Sequence, residues 1–457
     1  MTPAALAVYA AFLAYAIFRM LRRGSNDESD YLVAGRSITL PAFIATTVSS
    51  WYGGILGVGE YSYTYGISNW LVFGVPYYLY ALIFALFIAR RASRSQMLTV
   101  PDQLRAHYGG KVAIFGAAIL FLMTAPAAYV LALGALLGYL TGLSLMPAVI
   151  IGTLFSLAYV FRGGLGSVVF TDKIQFLLMF LGFAILLPAA AIKLGGFAWL
   201  RANLPPEHLS VSGGLPWQSV AVWYVIAAAT LVEPAFYQRC YAARNEQTAR
   251  RGLLISILFW ILFDFMTTFT GLYARAALPG LIESGGLGAQ ASYPALAQSI
   301  LPPVAASLFM VGLLATIMST IDSYGFLSAV TFGRDILWRL RGSRGDSMRY
   351  SRLGLIVAGA FSIGLALWRE SIVGLWHDLG SLGTPVLLFP LAMSFAPRVP
   401  KSNWTLASMI GGGGVAALWI IFEHAGLGYP LGIEPIFPGL LLSAVLTLMG
   451  WLSARPR

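Results

Sequence analysis

At 457 residues, with 58% hydrophobic and 10% charged side chains, the chain is too apolar for a water-soluble protein, in which about a quarter of residues carry charge. A formal charge of +11 would suit a nucleic-acid partner, but the basic residues are scattered over many short loops without interleaved aromatics, which excludes that class. The single cysteine, Cys240, excludes an intrachain disulfide.

Apolar runs long enough to cross the ~30 Å hydrocarbon layer of a bilayer recur from end to end. They predict thirteen transmembrane helices, near 2–22, 39–65, 68–90, 113–141, 145–161, 166–193, 217–237, 251–278, 303–333, 351–369, 372–396, 403–423 and 434–453. No stretch between them is long enough for a soluble domain, so 1–457 is expected to be one all-α polytopic membrane domain. The first run is expected to stay as a helix, because Arg19, Arg22 and Arg23 follow its apolar stretch instead of preceding it. Runs 113–141 and 303–333 are longer than a crossing requires and imply tilt or extra helical turns outside the lipid. Alternate loops, with Arg239 counted in the fourth of them, hold 25 of the 29 Lys and Arg residues. Basic residues resist translocation, so those loops are expected in the cytoplasm, with the amino terminus outside the plasma membrane and the carboxyl terminus inside.

Polar residues interrupt several of these spans. In 39–65, "IATTVSSWYGGILGVGE" (44–60) carries Thr46, Thr47, Ser49, Ser50, Gly53 and Gly54 where Leu and Ile would be expected. Such a run either packs tightly on its small residues or unwinds at Gly53–Gly54, and unwound backbone at this depth is tolerated only where it lines a cavity. Five carboxylates lie at membrane depth or its inner edge: Glu60, Asp172, Glu233, Asp264 and Asp322. Each costs a few kcal/mol or more unless paired, hydrated or protonated. Glu233, directly before Pro234, is expected at the inner edge beside a loop arginine such as Arg239. No Lys or Arg is placed deeply enough to pair with all five, which leaves a mobile cation or a proton as the missing partner.

Further along, "LLATIMSTIDSYGFL" (313–327) sets Thr316, Ser319, Thr320 and Ser323 at i, i+3, i+4 and i+7, one helical stripe with Asp322 on its flank. Singly, such hydroxyls bond their own i−4 carbonyl or pack against a neighbour. Four on one stripe beside a carboxylate suit the hard-oxygen coordination that Na+ prefers. The histidines, at 107, 208, 377 and 424, lie in or near loops, and no HExxH, cysteine pair or phosphate loop occurs, so no enzyme is expected.

Five segments together resemble the sodium:solute symporter family: "LVAGRSITLPAFIATTVSSWYGG" (32–54), "LTVPDQLRAHYG" (98–109), "RGGLGSVVFTDKIQFLLM" (162–179), "EPAFYQRCYAARNEQTARRG" (233–252) and "ATIMSTIDS" (315–323). The resemblance runs over nearly the whole chain. It implies a LeuT-like fold of two inverted five-helix repeats, about 39–193 and 217–396, with one peripheral helix before (2–22) and two after (403–453). It also implies sodium-coupled symport of a small organic solute by alternating access.

Carried over by position, the family's sodium site takes backbone carbonyls of Thr47, Ser50 and Thr316 and the hydroxyls of Ser319 and Thr320. A second cation site, present in some members, would map to Asp172, Ser319 and Ser323, with Asp322 where a hydroxyl often stands. By analogy the solute pocket lies beside the break in the first core helix, lined by Ser49, Trp51, Gly53, Gly54, Trp223, Tyr224, Asp264, Phe265 and Ser381. Glu60 and Asp264, without a basic residue at their depth, favour a solute carrying positive charge, such as an amino acid. Proton coupling through Asp322, Asp172 or Glu60 is the alternative. A transporter-like sensor ranks below both, because the chain ends at "SARPR" just past its last expected span. The implied partners are the solute, Na+ and the lipid bilayer; the sequence carries no signal for the solute's identity or for oligomeric state.

Overall fold

The computed structural model describes residues 27–158, 160–282, 288–368 and 371–454, with Ala11, Tyr15 and Phe18 ahead of them. The expected span 2–22 therefore lies outside the described residues apart from those three. The described chain is almost wholly helical.

Helix α1 (Leu40–Ser49) starts after Thr39 with Pro41 in its first turn and ends at Ser50. Residues 50–54 form the expected break before α2 (Ile55–Tyr65), which Gly66 closes at φ +65°. Then come α3 (Trp70–Ser95), α4 (Gly110–Thr141), α5 (Leu145–Leu157) and α6 (Val160–Leu194). Within α4, Ala125 precedes Pro126 and sits at ψ 119°, outside the helical region that a following proline disfavours. Two π-helical stretches in α3, Trp70–Gly74 and Phe84–Ile88, widen its turns.

The span expected near 217–237 is interrupted and runs further than its expected end. It begins as α7 (Trp217–Ile226), tightens to a 3₁₀ stretch over Ala227–Val232, extends at Glu233 (ψ 109°), and restarts as α8 (Pro234–Ala242). Pro234 lacks the amide a continuous helix needs and pushes Glu233 out of helical geometry. After it come α9 (Glu246–Ala277), α10 (Pro303–Trp338), α11 (Ser347–Trp368), α12 (Ile372–Ser394), α13 (Ser402–His424) and α14 (Ile436–Leu452). Nine described helices are long and apolar enough to cross a membrane, with the α7–α8 run counted as one of them, and α1, α5 and α14 are shorter apolar helices.

The core sits where α1 packs against both α6 and α9, and where α6 runs along α10. From Ser307 to Val330 nearly every residue of α10 is buried, which is why its sequence shows no apolar stripe. At one end of the bundle the acids and arginines assigned to cytoplasmic loops gather around Arg334. Its guanidinium lies 2.6 Å from Asp335, 2.7 Å from Glu28 and 3.0 Å from Asp102, and Asp102 also holds Arg339 at 2.8 Å. Close by in sequence to that network, the chain entering α1 pairs with the chain leaving α8. The Ile38 amide donates to the Ala242 carbonyl (3.1 Å), and the Arg244 amide donates to the Ile38 carbonyl (3.0 Å).

Candidate functional site

The last turn of α1 and the middle of α10 face each other through hydroxyls. Thr46, Ser49, Thr316, Ser319 and Thr320 are all fully buried, and Thr47 and Ser50 nearly so. Two of these hydroxyls serve their own helices: Ser50 donates to the Thr46 carbonyl (2.6 Å) and Thr316 to the Gly312 carbonyl (2.7 Å). Ser319 reaches outward, donating to Asp172 Oδ1 (2.6 Å) and lying 2.9 Å from Ser49 Oγ. The hydroxyls of Thr47 and Thr320 are buried without any hydrogen-bond partner. Thr320 stands directly against Gly53. At the same break the Trp51 amide bonds the Val48 carbonyl (3.3 Å), which leaves the Thr47 carbonyl without its i+4 helical partner.

Arg239 is the residue that the charge pattern misplaced. Assigned to a cytoplasmic loop, it lies instead on helix α8 with its side chain wholly buried. Its Nη2 donates to Ser323 Oγ (2.7 Å), Thr46 Oγ1 (3.2 Å) and Ser50 Oγ (3.3 Å), and stands 4.0 Å from Asp172 Oδ2. Thr46 donates to that same carboxylate oxygen. Asp172 thus has an internal cation as its counter-charge, where the sequence left room for a mobile one.

This arrangement divides the residues mapped to a second cation site. Asp172 and Ser319 are bonded, Ser323 is held by Arg239, and Asp322 accepts from Ser156 on α5 (2.9 Å). The four groups do not converge on one point, and a guanidinium occupies the space beside two of them. Glu233 also departs from expectation. Its Oε1 caps α8 by accepting from the Ala235 amide (3.1 Å), and it is not ion-paired to Arg239.

Beside both breaks lies a cavity of about 170 Å³. Of the residues expected to line it, Trp51, Gly54 and Asp264 do so. Ser49 turns toward Ser319, and Gly53 faces Thr320 and Tyr129. Trp223 packs edge-on against Phe73 (4.7 Å) and His377 (6.1 Å), and Tyr224 joins a satellite cluster with Val220 and Val72. Phe265 is 43% exposed beside Phe269, and Ser381 is buried away from the cavity. The sequence missed Tyr77, Tyr129, Trp376 and Glu233, all of which line it. Only Glu233 carried a local signal, an acid before a mid-span proline, which marks a break as plainly as the paired glycines do. Asp264 accepts a hydrogen bond from Tyr78, whose oxygen in turn accepts from Trp70 Nε1 (3.1 Å).

A helical membrane protein in which two interrupted helices meet around buried hydroxyls and a cavity is built as a secondary transporter. The chain belongs to the sodium:solute symporter family, whose sequence model matches residues 31–412. That is a family of transporters, not enzymes. The chain is 25% identical to the sodium/pantothenate symporter of Escherichia coli (strain K12) over 465 residues, covering 95% of this chain and 92% of the relative. It is 26% identical to high-affinity choline transporter 1 of Drosophila melanogaster over 404 residues, covering 81% and 62%. The fold matches the substrate-bound outward-open state of a Na+-coupled sialic acid symporter with a TM-score of 0.77 at 18% identity, covering 99% of this chain and 98% of that one. The LeuT-like architecture expected from the sequence motifs is therefore the fold of this chain.

Proposed function

We propose that the protein carries a small organic solute inward together with one Na+ by alternating access, the repeats at 39–193 and 217–396 moving around the α1–α2 and α7–α8 breaks. Na+ sits between α1 and α10, on the carbonyls of Thr47, Ser50 and Thr316 and the hydroxyls of Ser319 and Thr320. The observation that carries this reading is that the facing stretches of α1 and α10 each hold an orphaned oxygen: the buried Thr320 hydroxyl without a partner and the Thr47 carbonyl released by the break. Buried oxygens left unsatisfied are costly, and a hard cation satisfies several at once. The Arg239 guanidinium stands in for a second ion, which supports a stoichiometry of one Na+ per solute. The relatives' names span pantothenate and choline, so the solute is set by this chain's own cavity. The charge pattern places the amino terminus outside and the carboxyl terminus in the cytoplasm.

The test is the melting temperature of the purified protein in NaCl against KCl, for the wild type and for Ser319→Ala combined with Thr320→Ala. Selective binding to the folded state stabilises by RT ln(1 + [L]/Kd), ~2.7 kcal/mol at a hundredfold excess over Kd. Na+ is expected to raise the wild-type melting temperature and to leave the double variant unmoved. A response to pH with none to Na+ would transfer the coupling role to a proton.

A further inference from the structure

The cavity is acidic, and none of its described lining residues is a cationic side chain that could pair with an anion. Glu233 and Asp264 line it, and no Lys or Arg does. The buried guanidinium of Arg239 is committed to Ser323, Thr46 and Ser50 and forms no ion pair with either of these acids.

In a broken-helix site an anion can still be received by the amide end of a restarting helix. Most amides at both such ends are already engaged. At α2, the indole of Trp376 lies over Gly54 so closely that a Cβ there would overlap the ring. The Ile55 amide already bonds the Tyr52 carbonyl (3.0 Å), and the Gly57 and Val58 amides bond that of Gly54 (2.8 and 3.2 Å). At α8, Pro234 has no amide proton, and the Glu233 carboxylate takes the Ala235 amide for itself. A carboxylate on the solute would meet two acids with no cationic side chain to offset them.

The rest of the lining combines small and aliphatic residues and Asn69 with aromatics, among them Trp51, Tyr77, Tyr129 and Trp376. Aromatic faces attract a desolvated cation through their quadrupoles. A primary ammonium would bring three N–H donors, each needing an acceptor once buried, whereas a fully methylated nitrogen brings none.

We propose that the solute is a quaternary ammonium compound lacking a carboxylate, its head group held among Trp51, Tyr77, Tyr129 and Trp376 with Glu233 as the counter-charge. This rests on the cavity being the solute site of the transporter described above. It sharpens the positive, amino-acid-like solute suggested by the sequence: the positive charge stays, and the zwitterion's carboxylate is rejected.

The experiment measures binding to the purified full-length protein by tryptophan fluorescence in NaCl, with choline, glycine betaine and L-proline as probes. Choline and glycine betaine share the trimethylammonium head, and only the second carries a carboxylate. Choline is expected to bind about tenfold or more tightly than glycine betaine, and proline more weakly still. Tyr77→Leu and Glu233→Gln should each weaken choline about fivefold or more, with Tyr77→Phe, which keeps the ring, losing less than Tyr77→Leu. The Na+-induced rise in melting temperature, measured in the same variants without solute, reports that they are folded. Glycine betaine or proline binding as tightly as choline would overturn the proposal. So would an absence of choline binding in protein that Na+ stabilises. Choline binding equally well in KCl would overturn the sodium reading and leave the ammonium proposal standing.

Discussion

The two interrupted helices solve the same problem with opposite chemistry. Between α1 and α2 the chain breaks on small neutral residues. Gly53 and Gly54 let Thr320 and Trp376 close onto the backbone, and what the break offers is bare oxygen. Between α7 and α8 it breaks on Pro234 and brings charge with it: Glu233 into the cavity and Arg239 into the hydroxyl layer behind it. The first break is a place for something to be bound; the second supplies fixed charges around which binding is arranged. The buried arginine is thereby carried by one broken helix beside its partner Asp172 on α6, and the oxygen-rich break itself bears no charged side chain.

If that division of labour is right, the charged side is the more fragile. Arg239→Met leaves Asp172 buried beside no counter-charge and should cost about 3–5 kcal/mol, seen as a collapse of the melting temperature. Adding Asp172→Asn should restore much of the loss; no restoration would mean that the guanidinium acts through its hydroxyl partners alone. Next in size is Gly54→Val, which forces the Trp376 indole away and should cost about 1–3 kcal/mol along with solute binding. A wild-type affinity there would show that Trp376 does not form the cavity wall. The smallest effect belongs to Pro234→Ala. The Glu233 cap and the 3₁₀ stretch before it still hold the break, so the change in stability should stay within about 1 kcal/mol. A larger loss would make the proline, not the cap, the cause of the interruption.

These differences also mark what could be read from the amino-acid order. The Gly53–Gly54 break was legible because paired glycines behind a run of hydroxyls have few other uses inside a bilayer. The α10 stripe was legible because 3.6-residue periodicity places Thr316, Ser319, Thr320 and Ser323 on one face whatever surrounds them. Arg239 was not, because counting charges along the chain assigns any arginine near a basic loop to that loop. That α8 continues the same span as a wholly buried helix shows only in the contacts it makes. The cavity wall was least legible of all: Trp51, Tyr77, Tyr129 and Trp376 come from the first break and three separate helices, and nothing local distinguishes an aromatic facing the cavity from one facing lipid. Trp223 and Phe265 have the same composition on their side and face elsewhere.

The pairing of Ile38 with Ala242 and Arg244 uses only main-chain groups, two amides and two carbonyls. No change of side chain can delete it, and among the common residues only proline at 38 or 244 would remove a donor. Random variation at these positions is therefore nearly silent with respect to this link: the ends of the two broken helices stay tied while their side chains drift. A scan of all substitutions at 38 and 244 should register that freedom as broad tolerance with a single shared intolerance, a signature that a comparison of side-chain chemistry alone would miss.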